Sequence, residues 1–306
     1  MDIARITAGL KKGDRASIAR CMTLAEDDPA AFSKIAKKLY DPKRMPRVIG
    51  ITGPPGCGKS TLISQLAPRL AAGGHRLGII AIDATSPFTG GAFLGNRIRM
   101  EETVKAGKIF MRSIATRGAK GGLTESVMSS IMALSCAGYD MVVVESVGAG
   151  QADVDILNIS STVLLVLAPG LGDEIQAMKA GSMEIADIFV VNKSELPGAD
   201  VAKNAILSYL YTLQGHSSKK VTMTSCTKKE GIDLLASLVF DHEKGVDPAE
   251  FAERAFRMEV DRIAKELASK RIESVAAGSG AEIGRMLKKG MDPYTAANAL
   301  LKRSMG

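Results

Sequence analysis

The sequence predicts an α/β fold: a mostly parallel sheet flanked by helices, with helical segments before and after it. Three observations predict this. Short apolar runs at 48–52, 77–82, 108–112, 141–145, 162–168, 187–191 and 219–224 have the length and composition of buried strands. Segments of helical length lie between most of them, around 60–72, 124–137, 174–186 and 200–214. Near-continuous apolar strands alternating with helices argue for parallel strands covered on both faces. Finally, the polar motifs follow the ends of the runs, where right-handed crossovers gather the loops of such a sheet on one side.

In chain order, residues 1–45 predict a helical cap on the core. Ile3, Ile6 and Leu10, then Ile18, Met22 and Leu24, keep roughly helical spacing, with a break at Gly13-Asp14. Phe32, Ile35, Ala36 and Leu39 form another stripe after Asp28-Pro29, a helix start. The alternating core occupies 46–242. From 243 to 306 the pattern is helical again. Asp247-Pro248-Ala249-Glu250 supplies an N-cap, a proline at N1 and an acid at N3. Ala252, Phe256, Val260, Ile263 and Leu267 follow at near-helical spacing. Gly278-Ser279-Gly280 interrupts, a short helix around Ile283, Met286 and Leu287 ends at Gly290, and Asp292-Pro293 starts another.

Composition narrows the class. The 306 residues are 46% apolar and 24% charged, ample for a core. The net charge of +7 reads as a solubility charge. With aromatics at 4%, no Trp, and basic clusters no longer than pairs such as Lys219-Lys220, nucleic acid is not the expected partner. Cys21, Cys57, Cys136 and Cys226 are scattered, which suggests neither a disulfide framework nor a zinc site. No run approaches the roughly 18 apolar residues of a membrane span. The N-terminal stretch lacks the apolar segment of a signal peptide. The expected compartment is the cytoplasm.

The stretch 48–61, VIGITGPPGCGKST, carries the chemistry. Gly53, Gly58, Lys59 and Ser60 complete the pattern G-x-x-x-x-G-K-[ST] between an apolar run and a helix opening at Lys59. Across Gly53, Pro54, Pro55, Gly56, Cys57, Gly58, Lys59, Ser60 and Thr61, glycines let backbone N–H groups turn onto phosphate oxygens. The helix start adds its positive dipole end. Lys59, an exposed loop lysine on this reading, can reach the β- and γ-phosphates, and the Ser60 hydroxyl can ligate Mg²⁺. Asp83, at the tip of the next run, can hold a metal-bound water. Residues 84–99, rich in Gly, Ser and Thr with Arg97 and Arg99, suit a loop ordered by the γ-phosphate.

Two later motifs extend the set. Glu145, with Gly148 three residues on, resembles the D-x-x-G switch of GTPases: the carboxylate can hold the Mg²⁺ hydration shell and the Gly148 N–H can meet the γ-phosphate. Asn192-Lys193-Ser194-Glu195 resembles the guanine-reading N-K-x-D, in which an acid accepts both the ring N–H and the exocyclic amine. Ser225-Cys226, followed by Thr227, stands where GTPases use Ser-Ala, and a backbone N–H there can bond the guanine carbonyl.

With these motifs the chain resembles the methylmalonyl-CoA mutase-associated GTPases of the MeaB/ArgK type, a metallochaperone-related branch of phosphate-loop NTPases. GPPGCGKST, FTGGAFLGNRIRM after Asp83, MRSIATRGAKGGL at 111–123, ESVGAGQ, GLGDEIQAMKAG at 170–181 and NKSE carry the likeness. ITAGLKKGDRASIARCMTLAE and DPYTAANALL extend it to both ends. The resemblance implies a GTPase, using Mg²⁺, that binds a B12-dependent acyl-CoA mutase, gates cobalamin delivery and protects or reactivates the mutase. Adenosylcobalamin then enters only through the partner. It also implies a switch in 170–181, with Asp173, Gln176 and Lys179 as candidates, and a C-terminal arm that makes a homodimer.

The sequence departs from that family pattern at four places. Asn96 stands where an Asp is expected near the metal, and Glu195 replaces the guanine-binding Asp. Gln151-Ala152-Asp153 stands for Gln-Ser-Glu, and Cys226 for Ala. Two other readings remain: a nickel-type metallocentre insertion GTPase, against which stands the lack of clustered Cys and His, and a non-hydrolysing nucleotide-dependent scaffold.

Overall fold

The computed structural model describes residues 2–83, 109–115, 122–147, 159–170, 182–212 and 219–305. The chain divides into two compact units, Met1–Ala252 and Glu253–Gly306. In the first, the described strands are β1 (Arg47–Thr52), β2 (Leu77–Asp83), β3 (Ile109–Ala115) and β4 (Met141–Glu145), then β5 (Thr162–Leu167), β6 (Ile188–Asn192) and β7 (Lys220–Thr224). They form one sheet in the order β3-β2-β4-β1-β5-β6-β7, with every pairing parallel. All the strand C-terminal ends therefore lie along one edge, with β1 at the centre.

The central strands β1, β4, β5 and β6 are largely apolar because both faces are covered. Successive side chains point to opposite faces. Ile49 and Ile51, Leu164 and Val166, and Ile188 and Val190 pack in one cluster with Leu62 and Leu66 of α4 (Lys59–Ala72) and Leu235 and Val239 of α8 (Ile232–Gly245). The intervening Val163, Leu165, Leu167, Phe189 and Val191 pack on the other face against Ala202, Ile206 and Leu210 of α7 (Ala199–Thr212). Each large side chain buried in this way contributes about 1.5–3 kcal/mol. Of the helix expected around 174–186, the described residues include a short α6 (Ser182–Ile185).

Three helices precede the sheet: α1 (Ile3–Lys11), α2 (Arg15–Asp27) and α3 (Pro29–Leu39). Aspartates start all three. Asp2, Asp14 and Asp28 accept from the N–H of Arg5, Ser17 and Ala31 at 3.1, 2.9 and 3.0 Å. Helix α2 packs against α5 (Gly122–Cys136) and is tied to β3. Arg15 donates to the Ile109 carbonyl at 2.7 Å, and Arg112 donates to the Ala19 carbonyl at 2.7 Å. These bonds cover the edge strand that the sheet would otherwise expose.

A polar network closes the sheet at the end where β1, β5 and β6 begin. Glu243, buried near the end of α8, accepts from Ser161 Oγ at 2.7 Å and from Thr162 Oγ1, with the Arg47 guanidinium 3.6 Å away. Thr162 has a single hydroxyl proton. Since it goes to Glu243, His242 Nδ1, 2.8 Å from the same oxygen, must be a donor. His242 Nε2 faces Asp187 at 3.4 Å, which favours a proton on that nitrogen as well. The hydrogen bond to Asp187, helped by the charges of Asp187 and Glu243 and opposed by burial, raises the His242 pKa. A raised folded-state pKa gives stability that is complete below the unfolded value and lost as pH rises through the folded one. His242→Gln is therefore expected to cost about 1 kcal/mol at pH 6 and less at pH 9, by urea denaturation. An equal cost at both pH values would contradict the imidazolium assignment.

The second unit holds most of α9 (Pro248–Gly278) together with α10 (Gly280–Lys288) and α11 (Pro293–Met305). The break falls at the expected Gly278-Ser279-Gly280, and Asp292 caps α11 through the Thr295 N–H at 3.0 Å. Along α9, ion pairs such as Glu253–Arg257 at 2.9 Å and Asp261–Lys265 at 2.6 Å run one turn apart. Phe256, Val260, Ile263 and Leu267 form an exposed apolar stripe, with Leu267 62% accessible. Among the described residues, no helix is long and apolar enough to cross a membrane.

Candidate nucleotide-binding site

The loop from Gly53 to Gly58 leaves the end of β1 and enters α4, as the spacing predicts. Two of its glycines are demanded by the geometry. Gly53 has φ +146°, and a Cβ there would lie 2.0 Å from the Val166 carbonyl oxygen. Gly58 has φ +94°, and a Cβ would meet Asn192 Nδ2 at 2.5 Å. Both backbone conformations are ones that L side chains rarely adopt. Lys59 opens the helix but is not exposed, correcting the sequence expectation. Its side chain folds under the loop, where Nζ donates to the carbonyls of Gly53 at 2.7 Å and Pro54 at 3.3 Å. A buried ammonium requires such acceptors, and a run of backbone carbonyls supplies them.

Strand β4 pairs directly with β1, which brings Glu145 beside the start of α4. Ser60 Oγ donates to Glu145 Oε1 at 2.5 Å. A hydroxyl and a carboxylate held this close are two hard oxygen donors of the kind Mg²⁺ takes alongside phosphate oxygens, so the residues present fit that ion. Just past Glu145, the Ser146 N–H donates to the Ile51 carbonyl at 3.0 Å, and Ser146 Oγ donates to Thr52 Oγ1 at 2.9 Å. These buried contacts carry the pairing of the two strands beyond their assigned ends. Asp83 is the last residue of β2, but β4 stands between β2 and β1.

The end of β6 reaches the loop from the other side. Asn192, buried, donates from Nδ2 to the Cys57 carbonyl at 2.9 Å. Its Oδ1 accepts from Thr224 Oγ1 at 3.1 Å and from Cys226 Sγ at 3.4 Å. Burial and the nearby Glu195 charge push the Cys226 thiol up to about 11, so it stays a neutral donor. Lys193 takes the left-handed φ of 57°. Its Cε lies 4.0 Å from where a Gly58 Cβ would be, so its stem runs past the loop.

The Glu195 carboxyl sits below the usual carboxylate range, through the Ser225 hydroxyl first, then its own backbone N–H and the Thr227 hydroxyl. It is an acceptor at neutral pH. Ser225 cannot provide the backbone donor expected of this loop, because its N–H is already bonded to the Glu230 carbonyl at 3.0 Å.

The sequence model of a family described as Methylmalonyl Co-A mutase-associated GTPase MeaB matches residues 18–280. The chain belongs to the MeaB family. A protein of Pyrococcus horikoshii named as a GTPase is 40% identical over 307 residues, covering 97% of this chain and 96% of that one. GTPase ArgK of Escherichia coli is 32% identical over 245 residues, covering 76% of this chain and 73% of its own length. The crystal structure of LAO/AO transport system kinase shares the fold, with a TM-score of 0.67 over 99% of this chain and 97% of that one, at 21% identity. The MeaB-family chain is thus a phosphate-loop GTPase, and membership of that family implies binding of a guanine nucleotide.

For this MeaB-family GTPase, the structure brings Lys59, Ser60, Glu145 and Asn192 together around one loop. Asn96, Gly148, Gln151, Ala152, Asp153, Asp173, Gln176 and Lys179 lie outside the described residues, as do Arg97 and Arg99. Sequence reasoning missed Thr52, Ser146 and Thr224, the hydroxyls that brace the strand ends. A signal was present for two of them: Thr52 and Thr224 each close a strand at its loop end.

Proposed function

We propose that the protein is a GTP-hydrolysing chaperone of a B12-dependent acyl-CoA mutase of the methylmalonyl-CoA mutase type, working in the cytoplasm as a homodimer. The observation that carries this is the match of residues 18–280 to a family described by its association with that mutase. The site supports the hydrolytic half. Backbone N–H groups of the Gly53–Thr61 stretch receive the phosphates, and Lys59 exchanges its carbonyl partners for β- and γ-phosphate oxygens. Ser60 and Glu145 would hold Mg²⁺, which would supply positive charge beside those oxygens. Asp83, Asn96 and Gly148 are the further residues whose types suit the metal and the γ-phosphate. Asn192, Lys193 and Glu195 read guanine, with the Ser225–Thr227 turn beneath it. The exposed stripe of Phe256, Val260, Ile263 and Leu267 supports a second copy as the surface that buries it.

The gating role requires coupling between nucleotide and partner. If nucleotide state alters mutase affinity, bound mutase must alter nucleotide affinity by the same free energy. The expected results are at least fivefold different mutase affinities with GDP and with a non-hydrolysable GTP analogue, and faster GTP turnover when mutase is added. Calorimetry and phosphate release measure the two. Equal affinities and unstimulated turnover together would leave a GTPase without this role.

A further inference from the structure

Glu195 is one methylene longer than the aspartate that the guanine-reading pattern calls for, and a longer side chain is harder to hold in one geometry. Two observations bear on how it is held. Its Oε1 accepts from Thr227 Oγ1 at 3.2 Å. Its Oε2 is buried and makes no well-formed hydrogen bond, although the Ser225 hydroxyl lies near enough to act on the carboxyl. A buried carboxylate oxygen with no well-formed hydrogen bond is under-satisfied even beside the Ser225 hydroxyl, and a ligand N–H would complete it.

Thr227 is well anchored for such a task although its side chain is exposed. Ser225 and Glu230 exchange both backbone hydrogen bonds at 3.0 Å, closing the turn on itself. The Lys228 N–H donates to Ser225 Oγ at 3.1 Å within it. The hydroxyl at 227 therefore projects from a fixed turn towards a flexible acid.

We propose that Thr227 is a positioning residue for guanine recognition: its hydroxyl draws back Oε1 of Glu195 and aims Oε2 at the ring N–H and exocyclic amine. This rests on the reading of Asn192–Glu195 as the guanine-reading segment. The Thr227 bond uses one lone pair of Oε1, so that oxygen can still accept from the base as well. The pair compensates for the extra methylene. An aspartate at 195 would end roughly 1.5 Å short and lose the Thr227 hydroxyl, because a 3.2 Å contact has little slack before the hydrogen bond is gone.

The test is calorimetry of the full chain with GDP, inosine diphosphate and ADP. Inosine lacks the exocyclic amine but keeps the ring N–H. Thr227→Val, which keeps the side-chain shape, is expected to weaken GDP roughly five- to tenfold and inosine diphosphate about twofold, narrowing their ratio. In a Glu195→Asp background the same change is expected to move neither by more than about twofold. Equal losses for both nucleotides, or an undiminished loss in the Asp background, would overturn the positioning role while leaving the guanine reading intact. Wild-type protein that binds GDP no better than ADP would overturn the guanine reading itself, and the proposal with it.

Discussion

Lys59→Ala is expected to weaken GDP and GTP binding by roughly a hundredfold or more, since one charged partner of a phosphate is lost from a desolvated site. The structure adds a second consequence that a surface lysine would not have. Nζ satisfies the carbonyls of Gly53 and Pro54, so the alanine variant leaves both without their donor. The expected cost in folding stability is about 1–2 kcal/mol, a modest share of a domain's total. Calorimetry with GDP and urea denaturation of the same sample separate the two effects. Unchanged nucleotide affinity would refute the phosphate-binding assignment, whatever the stability change.

Glu243→Ala is expected to do the reverse. The carboxylate lies at the far edge of the sheet from the phosphate loop, at the N-terminal ends of β1 and β5, and strands of this length separate the two edges by about 17–20 Å. Its removal leaves the Ser161 and Thr162 hydroxyls and the Arg47 guanidinium around a buried void. Losing the buried acceptor of these hydroxyls costs about 1.5–3 kcal/mol, the range for hydrogen bonds to a charged group. Glu243→Gln, which keeps an acceptor oxygen and the volume, is expected to cost about 1–2 kcal/mol. GDP affinity of the folded protein is expected to stay within twofold for Gln. A loss below about 1 kcal/mol for Ala, read by urea denaturation, would mean that water replaces the carboxylate freely.

These two positions mark what the sequence made legible. The phosphate loop was readable because its residues are neighbours in the chain, and a strand, a turn and a helix start need no distant partner to be recognised. The strands were readable because burial on both faces makes them continuously apolar. Strand β3 is the instructive exception. Its expected span, 108–112, stops short of the observed Ala115 because Arg112 and Ser113 interrupt the apolar run. Arg112 lies in the edge strand, where its guanidinium turns to α2.

What was not legible depends on distant pairing. The order of strands puts β4 between β1 and β2, which brings Glu145 to Ser60 and leaves Asp83 one strand further away. Asn192 and Cys57 are 135 residues apart, and no local pattern announces their bond. Nothing in the neighbouring sequence marks Glu243, and only the packing of α8 over the sheet makes it a core residue. Lys59 was misjudged for the same reason, since its burial is a property of the folded loop rather than of its neighbours in sequence.

The bond from Asn192 to the Cys57 carbonyl has a geometric consequence. A trans peptide is planar, with its C=O and N–H directed oppositely. Fixing the Cys57 oxygen on Asn192 therefore fixes the Gly58 N–H on the other side of that plane, facing away from β6. The peptide unit is also the one for which Gly58 supplies a φ that other residues resist. Its orientation is thus set when the chain folds. The loss of rotational freedom that would otherwise accompany capture of an anion has already taken place in the folded loop, and binding is tighter by that amount.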